Sequence, residues 1–222
     1  MTCTYPYYAV YAPVPFILQV LYNWYDAATA PGNGDVAWHY YSEHALAGKV
    51  INQIEAIATT KHAAAYDTII ILGYSYGGDA ALALATRLNA DQIAVDLALT
   101  CDPVQKGVIP GLVYPYSQKG AAMGTPCPKN VADWENFYQQ VDTRSLSALG
   151  ILNYVNVQNT PLPPLQIYGR TVTGADSNQD ISAQITNRAT AHIEMPTLAT
   201  VVDTIRRKIR NLPGSKAAYW PP

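Results

Sequence analysis

A serine between two glycines is the first feature of this sequence that could do chemistry. Residues 73–77, Gly-Tyr-Ser-Tyr-Gly, follow the β-branched run DTIIIL and precede the helix-forming run DAALALATRL. A buried strand that turns sharply into a helix at such a motif holds the serine hydroxyl clear of the sheet. The pattern therefore predicts that Ser75 is a nucleophile, and that the backbone N–H of Tyr76 lies where an oxyanion would form.

A serine hydroxyl is a weak nucleophile unless a base removes its proton. The chain has four histidines, and three of them, His39, His44 and His62, precede Ser75. At a strand–turn–helix nucleophile the acid and then the histidine follow the serine along the chain. Only His192, in the stretch AHIEMP, meets that order and is therefore the predicted base.

The acid of such a site orients the imidazole and stabilises its charged form. Asp102 lies two residues after the apolar run IAVDLALT, the predicted strand next after that of the serine. Because the carboxyl ends of parallel strands meet at one edge of a sheet, Asp102 is the leading candidate. Asp176 and, with less support, Asp180 remain alternatives in the stretch VTGADSNQD.

A second backbone N–H is needed to complete an oxyanion hole, and it comes from the loop after the first strand. That loop is APVPF, in which the two prolines have no N–H. The donor is then Ala12, Val14 or Phe16, with Val14 as our candidate.

The segment 103–129 is rich in glycine, proline and tyrosine, so we expect little regular secondary structure in it. A long segment of this kind is more often a functional flap than a connector, although a plain surface loop is the alternative. The predicted substrate-binding residues are Tyr74, Val113, Tyr114 and Tyr116, because tyrosine has an apolar body and a polar tip that suit a cleft wall.

Strands and helices are predicted to alternate along the chain. Strands are expected at residues 7–12, 36–41, 67–72 and 93–100, within 134–140, and at 165–172. Helices are expected at residues 16–28, after an N-cap at Ser42, at 78–89, and from Pro196 onward. This alternation predicts an α/β protein, with a mostly parallel central sheet and helices on both faces, in a three-layer sandwich that forms a single domain over residues 1–222.

Composition excludes several classes of partner. The net charge is −2 and basic residues cluster only in RRKIR at 206–210, so we expect no nucleic-acid partner. No apolar run is long enough to span a membrane, and no His/Cys spacing suits a metal, so neither integral membrane association nor a metal or other cofactor is expected. No Lys or Arg precedes Lys49, so a charged signal-peptide region is missing, and the protein is either cytoplasmic or secreted with its leader removed.

The three cysteines, Cys3, Cys101 and Cys127, cannot all pair within the chain. One disulfide, such as Cys101 with Cys127, could form, but the spacing does not decide it.

These motifs together resemble the α/β-hydrolase superfamily, in particular small bacterial lipase- or thioesterase-like enzymes. The resemblance lies in GYSYGGDAAL at the serine, LTCDPV at the acid and AHIEMP at the histidine. It implies the α/β-hydrolase fold and a triad of Ser75, Asp102 and His192. Cutinases share the G-Y-S-x-G form, but their paired cysteines have no counterpart here.

The expected function is hydrolysis of a small-molecule acyl ester through an acyl-enzyme intermediate. The alternatives are a thioesterase or another acyl transferase or peptidase that uses the same triad, and a non-catalytic binding protein on a hydrolase fold.

Overall fold

The computed structural model describes residues 69–109, 112–116, 119–143 and 167–212. These residues contain the strands β1 (Ile70–Tyr74), β2 (Leu97–Cys101), β3 (Gln105–Ile109), β4 (Leu112–Tyr116), β5 (Trp134–Tyr138) and β6 (Ser177–Asp180). They also contain the helices α1 (Tyr76–Ala90), α2 (Ala191–Glu194) and α3 (Ala199–Asn211). The elements predicted before residue 67 lie outside the described residues.

The central sheet has four described strands in the order β1-β2-β5-β6, and every neighbouring pair is parallel. Strands at 67–72, 93–100 and 134–140 and a helix at 78–89 were predicted, and they correspond to β1, β2, β5 and α1. The protein is therefore of the α/β class, as the alternation of elements predicted.

Helices cover both faces of this sheet. The apolar residues of α1 recur at helical spacing and are buried against one face, with Leu82, Ala85 and Leu88 packed near Ile71 and Ala98. The alternate residues of β2 point the other way and pack against α3, whose buried residues there are Val201, Ile205 and Ile209. The period of two in β2 and the helical period in α1 and α3 thus produce two separate hydrophobic cores.

The helix predicted from Pro196 onward corresponds to α3, but its predicted start is wrong. Pro196 lies in a short 3₁₀ turn, Met195–Thr197, and α3 begins only at Ala199. Leu198 between them is extended, with ψ of 136°, which interrupts the helical path.

The strand predicted at 165–172 is also wrong over the part that is described, residues 167–172, where only Thr171 forms an isolated bridge, to Ala122. The strand beside β5 is instead the polar β6. The Asn178 side chain accepts from the Val172 backbone N–H at 2.8 Å, donates to its carbonyl at 3.0 Å, and accepts from Asn136 Nδ2 at 2.9 Å. Backbone pairing with β5 and side-chain amide hydrogen bonds, rather than apolar burial, therefore hold β6 in place.

The segment 103–129 is more regular than expected, because β3 and β4 form an antiparallel hairpin within it. The pairing runs from Gln105 opposite Tyr116 to Ile109 opposite Leu112. Beyond the hairpin, Met123 N–H donates to the Thr171 carbonyl at 2.8 Å, and this returns the chain to the body of the protein.

Cys101 and Cys127 are free thiols, so the disulfide considered above does not form. Cys101 lies in the core on the α3 face, whereas Cys127 packs against the core on the α1 face, so the sheet separates them. Burial and then the neighbouring Asp102 carboxylate raise the pKa of the Cys101 thiol well above its usual value.

None of the helices in the described ranges is both long and apolar enough to cross a membrane.

An ion-pair cluster joins α3 to the sheet. Lys208 Nζ lies 2.6 Å from Asp133 Oδ2 and 2.6 Å from Glu135 Oε1. Burial on its own would raise the pKa of the Glu135 carboxyl, but hydrogen bonds from Lys208 and Ser177 and the Lys208 charge lower it below its usual value. Burial would lower the pKa of Lys208, but its hydrogen bonds to Asp133 and Glu135 and their charges raise it.

These shifts define a pH window for the contribution of the cluster to stability. The Glu135 contribution is present above the unfolded-state pKa of that carboxyl and is lost as pH falls through its lower folded-state pKa. The Lys208 contribution is present below its unfolded-state pKa and is lost as pH rises through its higher folded-state pKa. The cluster is therefore fully stabilising from about pH 5 to about pH 10.

We expect Lys208→Met to lower the free energy of unfolding by about 2 kcal/mol at neutral pH, because it leaves the Glu135 carboxylate buried without its cation. The difference from wild type should shrink as pH falls through the lowered folded-state pKa of Glu135, because the protonated carboxyl no longer needs the cation. Urea denaturation at several pH values measures this. Arg207→Met, on the exposed side of the same helix, is the control, and an equal effect of both variants at all pH values would contradict the assignment.

Candidate active site

Ser75 occupies a strained turn between β1 and α1. Its φ of 57° and ψ of −126° lie in a region that residues other than glycine rarely adopt, at a cost of about 1–3 kcal/mol. The surrounding backbone holds it there. Ser75 N–H donates to the Cys101 carbonyl at 3.1 Å, and the Ser75 carbonyl accepts from Gly78 N at 2.9 Å and Val104 N at 3.1 Å.

Two glycines flank the serine in the motif, Gly73 and Gly77. Among the described residues, neighbouring atoms leave no room for a side chain at Gly73 but leave room for one at Gly77. A Cβ on Gly73 would lie 2.4 Å from the Gly77 carbonyl oxygen, so no side chain fits there. A Cβ on Gly77 would meet no atom of the described chain within 4 Å. The tight contact is therefore between the strand before the serine and the backbone of the first helical turn.

His192 reaches both partners predicted for it. Its Nε2 lies 2.8 Å from Ser75 Oγ, and its Nδ1 lies 2.6 Å from Asp102 Oδ2. The residue lies in the single-turn helix α2, and only 6% of its surface is exposed. The structure thus brings together three side chains that are far apart in the sequence.

Asp102 lies where the strand-end rule placed it. It follows β2 directly, adopts a φ of 48°, and its N–H donates to the Phe137 carbonyl at 2.6 Å. Its side chain is completely buried. Ser75 and Asp102 therefore follow the carboxyl ends of neighbouring strands.

The two alternative acids, Asp176 and Asp180, accept hydrogen bonds from backbone N–H groups. Asp176 Oδ2 accepts from the backbone N–H of Trp134 at 2.8 Å, at the amino end of β5 and so at the opposite edge of the sheet. Asp180 accepts from the Ser182 N–H at 2.9 Å, in the turn after β6. Of the three candidates, Asp102 is the one that contacts His192.

Gln139, which was not predicted from the sequence, contacts both oxygens of Asp102. Its backbone N–H donates to Oδ1 at 3.1 Å and its Nε2 donates to Oδ2 at 3.0 Å. Gln139 directly follows β5, so the same strand-end rule that identified Asp102 could have identified it. Gly169 closes the other side, because a Cβ there would lie 1.9 Å from Asp102 Oδ1.

The contact with Asp102 determines which ring nitrogen of His192 carries the hydrogen. An ionised carboxylate only accepts hydrogen bonds, so in the contact between His192 Nδ1 and the Asp102 carboxylate the nitrogen is the donor. The neutral ring then has its lone pair on Nε2, facing the Ser75 hydroxyl. This arrangement can remove the hydroxyl proton and stabilise the resulting imidazolium.

Tyr74 contacts His192 in this structure, and its predicted role in substrate binding stays a prediction. Its hydroxyl donates to the His192 carbonyl at 2.7 Å, and its ring stacks on the imidazole with centroids 4.9 Å apart and planes 25° apart. One side chain, adjacent to Ser75 in sequence, therefore contacts both the backbone and the ring of His192.

The remaining predicted site residues are described only in part. Tyr76 is the first residue of α1, and its backbone N–H belongs to the first turn, which has no acceptor within the helix. Val14, with Ala12 and Phe16, lies outside the described residues. Val113, Tyr114 and Tyr116 lie in β4, and their role as substrate contacts stays a prediction. Within the described ranges, no group of three or more His, Cys, Asp or Glu residues could hold a metal ion.

We expect Tyr74→Phe to slow the reaction of Ser75 with a fluorophosphonate about fivefold, because one neutral hydrogen bond contributes roughly 1 kcal/mol. Tyr74→Leu also removes the stacked ring and should slow it about thirtyfold. A time course of fluorophosphonate labelling of the folded protein measures both rates. Tyr138→Phe, which removes the hydroxyl from the last residue of β5, is the control, and equal rates for Tyr74→Leu and wild type would contradict the role of Tyr74.

No protein-family model, curated protein or solved structure matches this chain, so the interpretation of the site depends on the arrangement of Ser75, Asp102 and His192 themselves.

Proposed function

We propose that the protein is a serine hydrolase of the α/β-hydrolase fold that cleaves carboxylic esters through an acyl-enzyme intermediate. The observation that carries the proposal is the chain of two hydrogen bonds through His192, 2.8 Å to Ser75 Oγ and 2.6 Å to Asp102 Oδ2. Nucleophile, base and orienting acid are then each within hydrogen-bonding reach of the next, as nucleophilic catalysis by serine requires.

Two features of the chain support this fold. The nucleophile lies on a strand–turn–helix, and the acid and base follow it in the order serine, aspartate, histidine, which is typical of α/β hydrolases. All three side chains lie near the carboxyl ends of parallel strands, where open α/β sheets bind their ligands.

In the acylation step, His192 Nε2 takes the proton from Ser75 as Oγ attacks the carbonyl carbon of the ester. The imidazolium that forms is stabilised by Asp102, which accepts from Nδ1 without taking its proton. Collapse of the tetrahedral intermediate breaks the carbon–oxygen bond to the alcohol. The alcohol leaves with the proton that His192 returns from Nε2.

In the deacylation step, the same nitrogen takes a proton from water, and the hydroxide oxygen attacks the acyl carbon on Ser75. Collapse of this second intermediate breaks the bond to Oγ, and His192 returns the proton to Ser75. The carboxylic acid is released and the starting hydrogen bonds are restored. No metal or organic cofactor takes part in the proposed steps.

The negative charge of each intermediate needs backbone donors. The Tyr76 N–H is one, because the start of α1 combines an N–H that has no acceptor within the helix with the positive end of the helix dipole. The second proposed donor is the N–H of Val14.

The strained serine favours a catalytic function over simple binding. A turn that only reversed the chain direction could place a glycine at a φ of 57° and avoid the strain that Ser75 carries. Strain of this kind persists where the surrounding structure enforces it, and it clusters at active sites. The strained turn directs Ser75 Oγ toward the imidazole of His192, which Asp102 and Tyr74 also contact.

We expect wild-type protein to react covalently with a fluorophosphonate at Ser75 and to hydrolyse p-nitrophenyl esters. Ser75→Ala and His192→Ala should lower kcat about 10⁴-fold or more while the protein remains folded. Intact-protein mass spectrometry and initial rates measure these outcomes. Wild-type protein that neither labels nor turns over an ester of any chain length would refute the proposal.

A comparison of acyl-chain lengths and of acyl-CoA substrates assigns the leaving group, because the same triad also supports thioester cleavage. A kcat/KM for acyl-CoA well above that for every oxygen ester would make the protein a thioesterase.

For the acid, we expect Asp102→Asn to lower kcat about 10⁴-fold, because an asparagine amide would favour the wrong imidazole tautomer. Asp176→Asn should keep near wild-type kcat, since that side chain caps the amino end of β5. Initial rates of the folded variants decide between them. A larger loss in Asp176→Asn than in Asp102→Asn would mean that the acid is misassigned.

A further inference from the structure

We propose that Gln139 is a positioning residue that holds Asp102 as an oriented carboxylate beneath His192. The inference rests on the proposed hydrolase function and adds a fourth residue to its machinery. Gln139 acts through Asp102 and does not touch the reacting atoms.

Both donors of Gln139 are directed at the carboxylate. The backbone N–H is 3.1 Å from Oδ1 and the side-chain Nε2 is 3.0 Å from Oδ2, the same oxygen that receives His192 Nδ1 at 2.6 Å. Two donors from one residue, one to each oxygen, fix the plane of the carboxylate. The plane then determines the direction in which Oδ2 faces the imidazole.

The orientation of the Gln139 amide is itself determined by its surroundings. Its Oε1 accepts from the backbone N–H groups of Val141 and Asp142, each at 2.9 Å. Its Nε2 donates one hydrogen to the Ile167 carbonyl at 2.6 Å and the other to Asp102. A flipped amide would place Nε2 against two donors, so only one orientation satisfies the site.

Burial increases the free-energy cost of losing the hydrogen bonds between Gln139 and Asp102. Gln139 and Asp102 are both fully buried, so water cannot replace a lost hydrogen bond between them. A buried carboxylate without donors is strongly destabilised in its charged form. Gln139 therefore supplies, without adding charge, the hydrogen bonds that keep Asp102 an acceptor for His192.

The test substitutes an acid of the same shape. In Gln139→Glu one oxygen can still accept from Val141 and Asp142, but the other faces Asp102 and the Ile167 carbonyl with nothing to donate unless it is protonated. When the introduced carboxyl is ionised, it repels Asp102. When it is protonated, it can donate to Asp102 as the amide does.

We therefore expect kcat of Gln139→Glu, per folded enzyme, to be about 100-fold below wild type above about pH 8. The ratio of wild-type to variant kcat should fall as pH falls, because protonation restores the donor. A role limited to stability would give a ratio that does not change with pH once the folded fraction is taken into account.

Asn136→Asp is the matched control. Asn136 is also a fully buried amide, whose Nδ2 donates to the Arg170 carbonyl and to Asn178 Oδ1, each at 2.9 Å, and whose Oδ1 accepts from Thr100 at 2.7 Å. The substitution buries the same charge in the same sheet, without contact to the triad. We expect lower stability but a pH-independent kcat ratio to wild type.

A second variant covers the case in which Gln139→Glu fails to fold. Gln139→Met keeps the backbone donor and the side-chain length but removes the amide. It should lower kcat about tenfold with KM unchanged, since substrate binding does not involve this residue. An unchanged kcat in Gln139→Met would overturn the proposal.

The outcomes separate this inference from the function on which it rests. One outcome is that wild-type protein is active and that the ratios of its kcat to those of Gln139→Glu and Asn136→Asp are equal and do not change with pH. This outcome overturns the role of Gln139 and leaves the proposed hydrolase function standing. Wild-type protein that neither labels nor hydrolyses any ester refutes the hydrolase and the catalytic role of Gln139 together.

The downfield proton NMR resonance of the His192–Asp102 hydrogen bond tests the positioning role of Gln139 without measuring turnover. We expect this resonance in wild type and in Asn136→Asp, and its loss from Gln139→Glu at alkaline pH. Its retention in Gln139→Glu at that pH would overturn the positioning role.

Discussion

The structure around the site depends on one buried carboxylate. Asp102 has no exposed surface, and an ionised side chain in such a position costs several kcal/mol unless donors surround it. The donors come from Gln139, after β5, and from His192, on α2. Satisfying a single anion thus fixes the ends of two strands and a distant helical turn relative to one another, and the same contacts orient the imidazole toward Ser75.

Backbone hydrogen bonds continue past the ends of the strands and carry the strain of the site. Ser75 and Asp102 both have positive φ, and each follows the last residue of its strand. Ser75 N–H still pairs with Cys101, and Asp102 N–H with Phe137, so each residue remains tied to the neighbouring strand. The sheet therefore holds the two turns rigidly while their side chains leave its edge, which is a setting in which a strained serine can persist.

Local rules were sufficient to predict which three side chains would meet, because each rule concerns a strand end or the order of residues along the chain. Ser75 follows from the glycine-flanked turn, and Asp102 from the end of the next apolar strand. β6 was not predicted because it depends on side-chain amide hydrogen bonds, such as Asn136 with Asn178, 42 positions apart, which hydropathy and periodicity do not report. Gln139 directly follows β5, so the strand-end rule could have identified it, but its contacts with Asp102, 37 positions away, depend on tertiary structure. The role of Tyr74 depends on the docking of α2, a contact 118 positions away in sequence.

The separation of the three groups along the chain has a consequence for biosynthesis. Ser75 and Asp102 belong to one β–α–β unit, formed by β1, α1 and β2. His192 is synthesised 90 residues after Asp102. Under the proposed mechanism the hydroxyl has no imidazole to accept its proton until that later segment docks, so a nascent chain carries an unactivated serine up to that point.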